Sequence, residues 1–564
     1  MKWQRKQRPD THTVHHLQDV LGVSRPIAEL LAQRGINNYD EAKSFFRPSL
    51  DELHDPFLLK DMDKATDRIL QAVDKKENIM IYGDYDVDGT TSVALLIDYL
   101  RNFTDRTMPY IPDRYKEGYG LSYNGLDTAY QKGVSLIICL DCGIKAVDKV
   151  AYAKERNIDM IICDHHLPND KVPNALAVID PKQKDCPYPY KELCGCGIGF
   201  KLISAIDQLK GNTIEIASYL DLVAIAIGAD IVPIDGENRI LAYHGLKKIN
   251  DGARAGIQAM IDLSKKKYFT ITDVVFILGP RINAAGRMRH GSHAVELLTQ
   301  KKINTATDIS KELEVFNSDR KQADKTITAE AKLQIEENQE EDAATTVVYD
   351  ENWHKGVIGI VASRLIETYY RPTLVFTKSG DHLAASARSV RGFDIYEAIE
   401  ACSEHLVQFG GHKYAAGLTL REDQYQGFKK SFEEQVATSI PDECKEPQLI
   451  YDLELSLDDV SPKFLRILEQ FAPFGPANLK PVFRFDRLKD TGYAKQVGKE
   501  GDHLKCHLFQ HKDGNRFDAI GFGLGHQSNV LTKHPVDVVA SIEQNEWNGV
   551  IKTQLNLKSL RKSY

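Results

Sequence analysis

The sequence lacks a long hydrophobic run, an excess of positive charge and an even set of cysteines. No stretch of the 564 residues is apolar enough to cross a bilayer, and no apolar segment follows the basic start MKWQRKQRPD. We therefore expect neither a membrane span nor a signal peptide. The nine scattered cysteines indicate reduced thiols in a cytoplasm. A net charge of −8 excludes general attraction to nucleic acid, so any charge that binds DNA or RNA must be local.

The order of apolar runs and amphipathic segments predicts an α/β protein with several domains. Strand-like runs alternate with helical ones after residue 77, which is typical of a doubly wound, mostly parallel sheet. The predicted segments are 1–55, helical; 56–304, the doubly wound sheet; 305–342, a long connecting helix; 343–445, a second α/β domain; and 446–564, a small β-barrel.

The stretch IYGDYDVDGT places three aspartates, Asp84, Asp86 and Asp88, at alternate positions after an apolar run. Like charges this close repel one another, so a cation is expected to offset them. The stretch begins like an EF-hand loop, but Leu95 stands where the bidentate glutamate belongs, and a strand precedes it rather than a helix. A solvated acidic turn is the alternative that this stretch alone leaves open.

Three further apolar runs end in potential ligands. LIICL is followed by Asp141, MIIC by Asp164, His165 and His166, and LVAIAIGA, which we predict to be a buried strand, by Asp230. The carboxyl ends of parallel strands meet at one edge of a sheet, so these side chains should lie together. Carboxylates with imidazole predict a metal site, and the number of aspartates favours two ions.

The glycine pair in FGGHKYAAG is a second candidate site. Gly410, Gly411 and His412 could let the backbone approach a phosphate, because glycine has no side chain in the way. A plain turn between a helix and a strand is the alternative.

The motifs DYDVDG, DCG, DHH, GADIVP, GPRINAAGRM and FGGHKYAAG, in this order, resemble the DHH phosphoesterase superfamily with its DHHA1 second domain. With WHKGVIGIVASRL, the connecting helix and a barrel that resembles an OB-fold, the chain is similar to the single-stranded-DNA-specific exonucleases of that superfamily. The resemblance implies two divalent ions, Mn²⁺ or alternatively Mg²⁺, and hydrolysis of single-stranded DNA 5′→3′ to mononucleotides in DNA repair and recombination.

The resemblance also assigns roles in the metal site. It implies the metal ligands Asp84, Asp86, Asp88, Asp141, His165 and Asp230. Asp141 would bridge the two ions and so act in catalysis, His166 would lie near the scissile phosphate, and Asp164 would orient the histidines.

Substrate contacts follow from the same resemblance. The residues implied are Arg114, Arg281, Arg287, Ser386, Arg388, Gly411 and His412. Ala385 departs from the pattern, because relatives often carry glycine before that serine. In the barrel, Trp547 is a candidate for stacking against bases.

The implied partner is single-stranded DNA with a 5′ end. A single-strand-binding protein and a RecQ-type helicase are further expected partners of a cytoplasmic monomer. Two alternatives stay open: a phosphodiesterase for short oligoribonucleotides or cyclic dinucleotides, and an inactive replisome scaffold with a degenerate core.

Overall fold

The computed structural model describes residues 1–547 and 550–563, and only the backbone of residues 545–547, 550 and 551. The strands are, in chain order, β1 Lys2–Arg5, β2 Asn78–Gly83, β3 Thr107–Tyr110, β4 Val134–Leu140, β5 Asp159–Cys163, β6 Ala177–Ile179, β7 Thr346–Tyr349, β8 Thr373–Ser379, β9 His382–Arg388, β10 Leu406–His412, β11 Ala415–Leu420, β12 Gln448–Tyr451, β13 Leu453–Glu454, β14 Val482–Asp490, β15 Lys495–Val497, β16 His503–Phe509, β17 Arg516–Gly521, β18 Val536–Trp547 and β19 Val550–Lys562. The side chain of Trp547, the predicted stacking residue, lies outside the described residues.

The helices are α1 Thr11–Leu21, α2 Arg25–Ala32, α3 Tyr39–Phe46, α4 Met62–Asp74, α5 Val87–Leu100, α6 Tyr123–Gln131, α7 Val147–Glu155, α8 Gly195–Leu209, α9 Leu220–Asp230, α10 Gly236–Gly252, α11 Ala255–Ser264, α12 Ile271–Asp273, α13 Gly279–Met288, α14 Ser292–Thr299, α15 Ile303–Glu337, α16 Ile358–Tyr369, α17 Ile395–Glu400, α18 Tyr425–Ser439, α19 Pro462–Glu469 and α20 Ser528–Lys533. The chain forms two units: Asp55–Asp230 with Gly245–Pro447, and Lys2–His54 with Ile231–His244 and Gln448–Tyr564. Within the described residues, no helix combines the length and apolar character needed to span a membrane.

The first unit contains the predicted parallel sheet. Its order is β3-β2-β4-β5-β6, and every neighbouring pair is parallel. Strands β2, β4, β5 and β6 are largely buried apolar runs, as expected for a sheet covered by helices on both faces, whereas the edge strand β3 is only partly buried. Their carboxyl ends therefore lie side by side, and the acids that follow β2, β4 and β5 line one edge of the sheet.

The prediction of a strand at LVAIAIGA is wrong, because these residues belong to helix α9, Leu220–Asp230. The residues from Leu220 to Gly228 are all buried, and the helix packs on α5 and α8. An apolar run that is buried on every side has no polar face to reveal its period, so its composition suits a strand or a core helix equally. Asp230 thus reaches the site from the end of a helix.

The first unit also contains a second, mixed sheet of order β10-β11-β9-β8-β7. The alternative of a plain turn between a helix and a strand at Gly410–His412 is wrong, because these residues end strand β10 in a hairpin with β11. The long helix α15 connects the two α/β parts, packing on α11, α13 and α14 and on α16. Its observed bounds are Ile303–Glu337.

The second unit joins the two ends of the chain. Strands β14, β18, β19, β17 and β16 pair in a ring that β14–β16 hydrogen bonds close, which confirms the OB-like barrel. Strand β1 pairs in parallel with β12, and residues of α1 and α2 share a hydrophobic core with the barrel. Segment 2–54 therefore packs as part of this unit.

Candidate functional site

Local geometry turns the aspartates after β2 inward. Asp86 caps helix α5 by accepting a 3.0 Å hydrogen bond from the Gly89 backbone N–H. The turn is tight, since a Cβ at Gly89 would lie 2.4 Å from the backbone oxygen of Asp84. Asp84 and Asp88, on either side of this cap, are both buried.

The buried aspartates are held by backbone donors. Asp88 accepts from the N–H groups of Gly195 at 2.6 Å and Cys196 at 2.7 Å, in the first turn of α8. A helix amino terminus favours a carboxylate at this position. Asp84 accepts from Gly120 at 3.1 Å, but its second carboxylate oxygen is buried without a hydrogen-bond partner in the described structure.

His165 is the common member of two potential ligand sets. Its Nε2 lies 3.1 Å from Asp141, 3.7 Å from Asp230 and 3.8 Å from Asp88. One set is Asp141, His165 and His166, and the other is Asp88, His165 and Asp230; within each, the ligand atoms lie within 4.8 Å of one another. The two sets overlap in one cluster of carboxylates around His165, whose Nε2 can bind a single ion.

Burial makes the ionised forms of these aspartates unfavourable unless a cation is bound among them. Burial, and then the neighbouring Asp86, raise the pKa of Asp84 to about 8 and that of Asp88 to about 7. Burial and Asp88 raise the pKa of Asp230 to about 8 and that of Asp141 well above its usual range. The oxygen and imidazole donors, together with the unpartnered oxygen of Asp84, fit divalent ions.

Asp164 supports the histidines rather than joining either ligand set. Its Oδ2 accepts from the Ile144 N–H at 2.9 Å, and its Oδ1 lies 2.7 Å from His166 Nδ1 and accepts from the backbone N–H of His165 and His166. Burial alone would raise the pKa of Asp164, but these contacts, led by the His166 hydrogen bond, lower it to about 2. For His166, burial opposes protonation, yet the hydrogen bond with Asp164 raises its pKa above the ordinary value.

Two residues near the site were missed by the sequence analysis. Asp180 follows β6 directly, is fully buried, and has a carboxylate oxygen without a hydrogen-bond partner in the described structure. The rule that located the other acids, an apolar run ending in aspartate, would have found it in ALAVID. Tyr119 places its hydroxyl 3.1 Å from His166 Nε2, and no pattern in GYG signals that contact.

Three of the predicted phosphate-binding arginines form a cationic group around Arg287. The pKa of Arg287 is lowered to about 10, first by burial and then by Arg114 and other arginines that include Arg388. Arg287 also donates to the Gly356 carbonyl at 2.8 Å, which links α13 to the loop before α16. Arg114 stacks on Tyr85 with its guanidinium 4.6 Å from the ring centroid.

Arg281 is not part of this group. Its guanidinium forms a 2.5 Å ion pair with Glu314 of α15, and it also donates to the Ile277 carbonyl at 2.6 Å. The positive charge of Arg281 is therefore neutralised inside the protein. The sequence could not reveal this pair, because the partner lies 33 positions away on another helix.

Strand β9 presents Ser386 and Arg388 beside the first turn of α16. A Cβ at Gly359 would lie 3.0 Å from Arg388 Nη2 and 3.3 Å from Ser386 Oγ, so a larger residue would crowd both. Ala385, the departure from the superfamily pattern, is buried in the core of this part of the chain. Its methyl group is therefore directed away from Ser386, since neighbouring strand residues face opposite sides.

The glycine-rich hairpin lies next to Arg388 in the sheet. Arg388 pairs with Ala415, and Ala415 pairs with His412, so Arg388 and His412 project from the same face with a small residue between them. Gly411 has a φ of 151°, and a Cβ there would meet the Ala415 oxygen at 2.5 Å. The hairpin thus requires glycine at this position.

Family models cover most of the chain. The DHH family N-terminal domain matches residues 78–227, the DHHA1 domain 342–438 and the RecJ OB domain 451–559. These ranges correspond to the parallel sheet, the second sheet and the barrel.

Known proteins match along nearly the whole length. The single-stranded-DNA-specific exonuclease RecJ of Bacillus subtilis is 35% identical over 99% of this chain and 70% of that protein, and RecJ of Salmonella typhimurium is 33% identical over 88% and 89%. The crystal structure of Thermus thermophilus RecJ in complex with Mn²⁺ matches with a TM-score of 0.85 and 26% identity, covering 100% of this chain and 80% of that one. The chain therefore belongs to the family of the single-stranded-DNA-specific exonuclease RecJ.

Proposed function

We propose that this protein is a metal-dependent exonuclease that hydrolyses single-stranded DNA 5′→3′ to mononucleotides, in DNA repair and recombination. The observation that carries the proposal is the pair of ligand sets that share His165 at the edge of the parallel sheet. Relatives of this family are named single-stranded-DNA-specific exonucleases, and one was crystallised with Mn²⁺. Two divalent ions, Mn²⁺ or Mg²⁺, are the proposed cofactors.

Asp84, Asp86, Asp88, Asp141, His165 and Asp230 are the proposed metal ligands. Ions bound there would supply an activated water and stabilise the charge that develops on the oxygens of the scissile phosphate. Asp164 holds His166 by its Nδ1, which leaves Nε2 beside Tyr119. A protonated His166 in this position donates a hydrogen bond to a phosphate oxygen of the strand.

The cationic group offers a place for the 5′ end that the proposed polarity requires. Arg114, Arg287 and Arg388 present guanidinium groups that match the fork geometry of a phosphate, with Ser386 and the Gly411–His412 hairpin beside them. We assign this group to the terminal 5′-phosphate and the metal centre to the bond to be cut. Arg281 is left out of the assignment, because Glu314 neutralises it.

The proposed partners are single-stranded DNA, a single-strand-binding protein and a RecQ-type helicase, with the protein acting as a monomer in the cytoplasm. All nine cysteines are free and buried, which suits a reducing compartment. The barrel favours a polymer over a cyclic dinucleotide or short oligoribonucleotide, since OB-folds grip single strands. Intact acids at the metal site weigh against an inactive scaffold.

The test is a time course with an oligonucleotide labelled at either end, in the presence of Mn²⁺. We expect mononucleotides to appear first from the 5′ end of 5′-phosphorylated single strands, with blunt duplex largely spared. A 5′-hydroxyl oligonucleotide of the same sequence is the control, and it should be cut more slowly. First release from the 3′ end, or cleavage confined to dinucleotides, would contradict the proposal.

A further inference from the structure

The buried face of helix α15 is mainly apolar near both ends and polar in the middle. The buried residues near its start include Ala306, Ile309 and Leu313, and those near its end are Ile327, Ala331 and Ile335. Between these sections lie Asn317 and Asp324, which are buried, and Arg320, which is partly buried. A helix that only connected two domains would gain nothing from polar side chains here, because burying them without partners is costly. The middle of α15 therefore calls for an explanation beyond packing.

Asn317 and Arg320 are incompletely satisfied in the described structure. Arg320 Nη2 donates to Asn317 Oδ1 at 3.1 Å, so the amide oxygen fixes the guanidinium. The remaining groups, Asn317 Nδ2 and Arg320 Nε, are buried without a hydrogen-bond partner. Both are donors, so a ligand that completes this site must offer acceptors.

Arg320 extends the cationic group on the neighbouring helix. Helix α15 packs on α13, the helix that carries Arg287, and the charge of Arg320 contributes to the lowered pKa of Arg287 after burial and Arg114. Asp324 counters the charge of Arg320 only in part, and it also lies 3.7 Å from Arg364. By contrast, Arg281 has its own carboxylate in Glu314. Arg320 is thus a cation with spare donor capacity on the helix that packs against that of Arg287.

We propose that Arg320 binds a backbone phosphate of the DNA strand, with Asn317 as the positioning residue that orients its guanidinium. The inference rests on the proposed function, and it assigns α15 a role in substrate binding. A phosphate fits better than a base edge, because the ligand must be an anion that accepts several hydrogen bonds. The bound phosphate belongs to the strand beyond its terminal nucleotide, since Arg114, Arg287 and Arg388 hold the 5′ end.

The test compares Arg320→Gln with Lys321→Gln, a matched loss of one charge at an exposed residue of the same helix. With Mn²⁺, we expect Arg320→Gln to raise the KM for single-stranded DNA about tenfold and to flatten the salt dependence of binding by about 0.7 in log–log slope. Lys321→Gln should change neither quantity. Hydrolysis of bis(p-nitrophenyl) phosphate, which has no strand beyond the cut, should stay within twofold of wild type for both variants.

Two further variants separate binding from folding. Asn317→Asp places a carboxylate beside Arg320 and should raise the KM, because it would neutralise the guanidinium as Glu314 neutralises Arg281. Arg320→Lys keeps the charge without the fork and should retain the salt slope with a raised KM. Equal KM and equal salt slope for Arg320→Gln and Lys321→Gln would overturn the proposal. A wild-type protein that cleaves no single-stranded DNA would instead reject the proposed function itself.

Discussion

His166 Nδ1 lies 2.7 Å from Asp164 Oδ1, and this contact joins the first and third residues after strand β5 into one acid–imidazole pair. The other oxygen of Asp164 accepts from the Ile144 N–H, and Asp164 belongs to neither set of potential metal ligands. The pair therefore sets the tautomer and the charge of His166, whose Nε2 is left to act on another group.

Asp164→Asn is expected to lower kcat about 10- to 100-fold, because the amide cannot stabilise a protonated His166. The loss of the anion should return the pKa of His166 towards its ordinary value, so the alkaline limb of the pH–rate profile should move to lower pH. Asp127→Asn, which removes a surface partner of Tyr152, is the control. An unchanged pH–rate profile in Asp164→Asn would refute this role.

Asp141→Asn is expected to abolish hydrolysis while the far-ultraviolet circular dichroism stays as in wild type. Asp141 sits in the left-handed region, with a φ of 59°, and asparagine tolerates that conformation better than alanine. Activity with Mn²⁺ and the number of bound ions are the measurements. Near-normal activity of Asp141→Asn would contradict the assignment of Asp141 to the metal site. The control is Asp74→Asn, a substitution at an exposed residue, which should behave as wild type.

Metal-free protein is expected to lose stability as pH rises. The folded-state pKa values of Asp84 and Asp230 are about 8, above the ordinary 3.8, so the unfolded chain ionises first and folding is disfavoured progressively from about pH 4 to 8. The melting temperature should fall by about 5 °C or more between pH 5.5 and 8.5, and Mn²⁺ should restore it. Asp230→Asn should flatten this dependence, and a flat wild-type curve would contradict the assigned cause.

Removal of residues 448–564 is expected to destabilise the N-terminal segment. Strand β1 loses its partner β12, and the apolar faces of α1 and α2 lose the core that they share with the barrel. Limited proteolysis should therefore cut within residues 2–54 in the truncated protein and spare them in the full chain. Equal protection in both would show that the segment folds alone. Point substitutions on the barrel surface are consequently a better test of DNA binding by the barrel than removal of residues 448–564.

Much of the site could be predicted from the sequence, because its signals are local. The acids after β2, β4 and β5 stand where apolar runs end, and parallel strands bring their ends together whatever the surrounding loops do. The same rule extends to Asp180. The motifs around these acids also indicated the superfamily, because the chemistry needs those residue types at those strand ends.

Only the tertiary structure decided three features. These are whether α9 is a helix or a strand, whether the charge of Arg281 is available to a ligand, and where residues 2–54 pack. The run before Asp230 is buried on all sides, so it has no regular spacing of polar residues that would distinguish a helix from a strand. Arg281 and Glu314 are distant in sequence, and the charge of an arginine is available to a ligand only if no carboxylate claims it first. The apolar faces of α1 and α2 indicate from the sequence that these helices pack against another part of the protein. The sequence does not show that this part is the barrel, because the barrel is formed by residues at the other end of the chain.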